Sequence, residues 1–123
     1  MERIVFRAKS LPTDEWVYGN YVHSLRFAGT PMEHLIIDQH TGAEYEVDGN
    51  TVCQFIGKYD SKGESIFEND ILFNPTTKTF YKVFFDKAKY MLFSSFGIDE
   101  NLDFENLLLA GNVFEVQELF NDK

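Results

Sequence analysis

The chain has 123 residues, 44% of them hydrophobic and 16% aromatic, with a formal net charge of −9. This length suits one compact domain or a domain with a small appendage, and there is ample apolar material for a core. The negative charge speaks against broad nucleic-acid affinity, since phosphate contacts need a positive surface. The lone Cys53 excludes an internal disulfide and a cysteine-rich zinc site.

No window approaches the ~18 apolar residues of a membrane span. The opening "MERIVFRAKS" has neither a continuous apolar run nor a small-residue cleavage site, so a cytoplasmic location and no membrane association are expected. Thirteen Phe and six Tyr favour strands, because aromatic rings fit a half-buried pleated surface.

The periods along the chain are short. "RIVFRA" alternates Ile4, Phe6 and Ala8 against Arg3, Val5 and Arg7, which predicts a strand. "SLPTDE" is a turn, because Pro12 fixes φ and Asp14 can bond its own backbone. "WVYGNYVHSLRF" alternates again, with Gly19 marking a bend or bulge. "HLIID" and "EYEV" are extended, with "QHTGAE" as the loop between them.

"TVCQFIG" and "ESIF" flank "KYDSKG", which reads as a hairpin connection with Gly63 where φ > 0 is needed. "ENDILFN" continues the sheet to the turn at Asn74-Pro75. "KTFYKVFFD" and "KYMLFSS" are strands joined across Asp86–Lys89. "IDENLDFENLLL" is the one helix candidate, a single turn begun by Asp99. "LLLAGNVFEV" is a final strand pair or a bent strand, with Gly111-Asn112 at the bend. Many short strands with turn signals between them predict a small barrel or sandwich. Residues 1–46 are expected to be a β extension and residues 47–123 the barrel, within a single compact unit.

The segment "GKYDSKGESIFENDI" invites two motif readings, and both fail. A phosphate loop needs G-x-x-x-x-G-K-[ST], but Tyr59 follows Gly57-Lys58 and Val52 stands five before Gly57. An EF-hand loop needs oxygen ligands at positions 1, 3 and 5 and Gly at 6; counted from Asp60, Lys62 takes position 3 and Gly63 position 4. Turn chemistry remains, with Asp60 accepting backbone N–H bonds and Asp70 doing the same before "ILF".

These residues also carry a family resemblance. "TVCQFIGKYDSKGESIFENDIL" resembles the YopX pattern T-V-x-Q-[FY]-[TI]-G, a D-x-x-G turn, then I-[FY]-E-G-D-I. "IVFRA", "EWVYG" and "AGNVFE" are similar to the family's other segments and fall in its order, while residues 75–105 carry least of the likeness. The chain departs in three places. Lys9-Ser10 stand where Trp-Asp is frequent, Asn69 replaces the Gly of E-G-D-I, and Val116-Gln117 replace Asn-Pro. Asn tolerates left-handed backbone, so the turn at Asn69 is expected to survive.

The resemblance implies an all-β fold with an SH3-like barrel, an N-terminal β-strand extension and at most one short helix. It implies a protein borne by phages or prophages, and it brings no catalytic residue and no cofactor. Its recurrent Gly57, Asp60, Gly63, Asp70, Gly111 and Asn112 read as turn residues.

Other constellations are weak. His34, Asp38 and His40 share parity, so a continuous strand would align them as metal ligands, but i and i+4 on a strand lie ~13 Å apart. Cys53 within "TVCQF" reads as a small buried hydrophobe, and Glu44 and Glu46 as a solvated face. No G-x-S-x-G elbow occurs.

The aromatic hairpin stands out. In "TFYKVFFD", Tyr81, Val83 and Phe85 take one face and Phe80, Lys82 and Phe84 the other, amid Lys78, Lys87 and Lys89. Residues 71–90 carry four Lys against one Asp, between acidic segments. A strand buried on both sides would explain the pattern. So would a protein interface at Phe80, Lys82, Phe84, Lys87 and Lys89, where a basic patch meets acidic segments of a second copy. A platform stacking single-stranded nucleic acid is the third reading, and acidic mimicry of DNA a related one. The expectation is a non-enzymatic accessory protein acting by protein contacts and self-association, with a host or phage protein as another partner.

Overall fold

The computed structural model describes residues 6–23, 34–86, 89–94, 97–99 and 104–115. Its backbone contacts divide the chain into two compact units, residues 1–55 and 56–123.

The first unit holds strands β1 (Phe6–Lys9), β2 (Trp16–His23), β3 (His34–Ile37) and β4 (Glu44–Glu46), and the start of β5 (Cys53–Tyr59). All pairings are antiparallel, and β1 lies between β2 and β5. A 3-10 turn at Gly49–Thr51 precedes β5, capped by Asp48, whose Oδ1 accepts from the Asn50 N–H at 3.0 Å. Period-2 alternation puts Ala8, Ile36 and Val47 in this unit's core, with Phe6, Val17, Tyr21 and Val52 against them. Gly19 is required by close approach: a Cβ there would lie 2.0 Å from the Ile37 carbonyl oxygen.

The second unit holds the end of β5, then β6 (Ser65–Phe67), β7 (Asp70–Asn74), β8 (Thr79–Asp86), β9 (Lys89–Ser94), β10 (Gly97–Asp99) and β11 (Leu108–Asn112). Five of these form a sheet in the order β10-β9-β8-β7-β11. Its core joins Ile66, Leu72, Val83 and Leu92 to Phe104 and Leu107. Burying each large aliphatic side chain contributes about 1.5–3 kcal/mol.

The all-β class holds, but the SH3-like barrel does not form. The two sheets stay open, ordered β4-β3-β2-β1-β5-β6 and β10-β9-β8-β7-β11. Closure requires coordinated tilt and stagger of every strand, which local patterns do not encode. At β11, moreover, the Leu109 N–H donates at 2.9 Å to Asp60 Oδ2, a side chain rather than a further strand.

The single turn expected within the helix candidate is present, but it does not begin at Asp99. Asp99 ends strand β10, and within the candidate only a 3-10 turn at Phe104–Asn106 appears among the described residues. That turn inserts Phe104 and Leu107 into the core, so burial decides its shape. The final strand stops at Asn112, and Val113–Glu115 are helical. Asn112 Oδ1 accepts from the N–H groups of Phe114 and Glu115, both at 3.1 Å, which caps the turn.

A candidate interaction face on the second sheet

The turn residues come first, because they show where the acidic groups are engaged. Asp60 is buried at the β5–β6 hairpin tip. Its Oδ1 accepts from the N–H groups of Lys62 at 2.8 Å and Glu64 at 2.9 Å, and its Oδ2 from that of Leu109. Burial alone would raise its pKa; the backbone bonds, that of Leu109 foremost, outweigh burial and hold it below the usual aspartate value. The Ser61 N–H donates to the Leu107 carbonyl at 2.9 Å, so two bonds fasten the hairpin tip to β11 and the residue before it. Gly63 supplies φ 85 in this turn and Gly57 φ 80 within β5.

Asp70 is 1% exposed, and its Oδ2 accepts from the Phe67 N–H at 2.8 Å. Asn69, where the family pattern has Gly, adopts φ 69. Its N–H donates to the Val83 carbonyl, and its carbonyl accepts from the Val113 N–H. Gly111 follows a register shift in the β11–β7 pairing.

The remaining sequence candidates are dispersed. His34 begins β3, but the strand stops at Ile37, and Asp38 turns the chain by accepting from the N–H groups of His40 and Thr41. Those two bonds, Thr41 foremost, hold Asp38 below the usual range. His34 meets other partners: its Nδ1 lies 2.7 Å from the Tyr21 hydroxyl, and its ring stacks on His23 at 4.5 Å. Cys53 is fully buried, with Sγ donating to the Thr51 carbonyl at 3.2 Å. Glu44 is exposed and Glu46 half-buried on β4.

The aromatic hairpin is different. Val83 is fully buried and Tyr81 packs against the same core, so the alternate residues of β8 point away from it. Phe80 is 58% exposed, and its ring lies 4.7 Å from that of Phe73 on β7. Register places Ile71, Lys82 and Phe93 in one row across β7, β8 and β9. Phe93 is 51% exposed and Lys82 half-buried. The face is therefore open to solvent at Phe80 and Phe93, which a strand buried on both sides would not permit. Phe84 is half-buried opposite the buried Met91, at a more covered part of the row. Lys89 pairs with Asp86 in the backbone register, and Lys87 lies outside the described residues.

The face thus comprises Phe73, Phe80, Lys82 and Phe93, with Phe84 beside it. Alternation within "KYMLFSS" could have placed Phe93 opposite Leu92, but its position beside Lys82 needed the long-range register.

Comparisons place these features in a family. No curated protein matches the chain. The fold is similar to that in the crystal structure of protein EF1440 from Enterococcus faecalis, with a TM-score of 0.58 and 19% identity over 97% of this chain and 99% of that one. The family model described as YopX protein matches residues 5–121, nearly the whole length. With its hairpin, its acidic turns and its family model all in register, the chain belongs to the YopX family.

Proposed function

We propose that this protein is a non-enzymatic accessory protein of phage or prophage origin that works in the cytoplasm through protein contacts, its first partner being a second copy of itself. One observation carries the reading: Phe80, two residues along β8 from Lys82, and Phe93, across from Lys82 on β9, stand more than half exposed on a sheet face whose opposite side is core. Aromatic side chains are enriched at protein interfaces.

The chemistry of the acids supports the same reading. Asp60 and Asp70 are engaged by backbone N–H groups, a structural use of carboxylates that leaves them poor general bases. Among the described residues no group of three or more His, Cys, Asp and Glu could hold a metal ion, and no helix is long and apolar enough to cross a membrane.

The test is the mass of the purified protein across concentration, measured by light scattering. The wild type should associate, and Phe80→Ser with Phe93→Ser should remain monomeric while still melting cooperatively, at a cost of no more than about 1 kcal/mol. A wild type that stays monomeric at every concentration would end the reading. The same face of Phe80, Lys82 and Phe93 gives a second reading, in which bases of single-stranded nucleic acid stack on the rings. Titration of a labelled oligonucleotide at low salt separates the two, since the −9 charge opposes phosphate contacts elsewhere.

A further inference from the structure

The first unit carries a second partly exposed face, bordered by carboxylates on β4, while the buried Arg7 and Lys9 of β1 lie further along the same side of the sheet. Ile36 points into that unit's core, so Leu35 and Ile37 point to the other side. Register sets Val22 and Glu46 on either side of Leu35, and Asn20 and Glu44 on either side of Ile37. The result is an apolar row of Val22, Leu35 and Ile37 bordered by two carboxylates on β4. Val22 is 37% exposed and Glu44 is exposed.

The two faces have matching anatomy. Each has an apolar centre, with Lys82 marking one and Glu44 with Glu46 the other. Pairing like with like would bring two Lys82 side chains, or four carboxylates, into one contact without an opposite charge from the patch, which is less favourable than opposite signs meeting across an interface. Copies of a chain with charge −9 repel on approach, and the lysine-bearing segment 71–90 is where that repulsion is locally reversed. Face-to-face docking is also favoured over strand addition. The short β4 edge is charged, and the Leu109 N–H of β11 is already engaged by Asp60.

We infer that a second copy is taken head to tail. The Phe80–Lys82–Phe93 face of one copy docks on the Val22–Leu35–Ile37 face of the next, with Lys82 against Glu44 and Glu46. This rests on the self-association reading above and adds to it the other half of the contact. Such an interface is heterologous, so an open assembly keeps one free face of each kind, one at either end, and grows until a ring closes.

Two blocked variants test the assignment, each checked for folding by its melting curve. Phe80→Glu with Phe93→Glu closes the aromatic face. Val22→Lys with Glu44→Lys closes the acidic face at exposed positions. Each alone should lose association by at least about tenfold, because each removes hot-spot contacts. Mixed in equal amounts, they should form a one-to-one dimer that does not grow, since each offers the face the other lacks.

A folded Val22→Lys, Glu44→Lys variant that associates like the wild type would overturn the inference while leaving self-association through Phe80 and Phe93 intact. A mixture that stays monomeric would overturn it as well. A monomeric wild type would remove both readings together.

Discussion

The hairpin tip at Asp60 and the outer face of β8 and β9 lie in the same unit and treat their side chains in opposite ways. At the tip, a carboxylate that could have been reactive is enclosed by three backbone N–H groups. On the face, phenylalanines that could have been core remain more than half exposed at Phe80 and Phe93. The polar groups with chemical potential are engaged in holding the fold, while apolar groups with none are left to solvent. Function is better sought where burial is incomplete than where charge is dense.

That contrast can be broken by substitution, beginning with the core beneath both regions. Leu72 is fully buried, and Leu72→Ala should cost about 3 kcal/mol in denaturant melts, because a cavity remains among Ile66, Val83 and Leu92. A loss under about 1 kcal/mol would mean that the core collapses around the gap.

Asp60→Ala comes next, at about 2 kcal/mol near neutral pH, because three donors lose their acceptor. The pH dependence gives a sharper check. The folded-state pKa of Asp60 lies below its unfolded value, so its contribution is complete above the unfolded value of about 4 and is lost as pH falls through the lower folded value. The stability gap between wild type and Asp60→Ala should therefore narrow below about pH 4. A gap constant down to the acid limit would show that ionisation of Asp60 contributes nothing.

Phe80→Ser with Phe93→Ser should cost no more than about 1 kcal/mol of stability, the scale of the lost Phe73–Phe80 ring contact, while abolishing association. A large loss of stability would show the face to be structural, and the contrast with Asp60 would dissolve. The smallest effect is expected at Asn69. Its φ of 69 suits glycine, so Asn69→Gly should raise stability by a few tenths of a kcal/mol, the relief of left-handed strain being partly offset by a more flexible unfolded chain.

The sequence was most legible where physics is local. Alternation named the strands of "TFYKVFFD" and "KYMLFSS", and the D-x-x-G spacing named the turn at Asp60 and Gly63, because side-chain period and φ preference act within a few residues. The single turn expected in "IDENLDFENLLL" is present at Phe104–Asn106 and not at Asp99, because insertion of Phe104 and Leu107 into a core formed by distant strands decides where the chain turns. The sequence aligned His34 with Asp38 and His40 on a strand that Asp38 itself terminates.

The amino-acid order by itself determined the all-β class, the family and the residues that turn the chain. It did so because alternation, glycine and the Asx side chains act on their own neighbourhoods. Only the tertiary structure decided that the sheets stay open, that Leu109 is the far partner of Asp60, and that Phe93 shares a row with Lys82. Those are matters of register and pairing between segments far apart in the chain. Alternation within a strand fixes which residues share a face, but which residue of a distant strand each one meets is settled only when the strands pair.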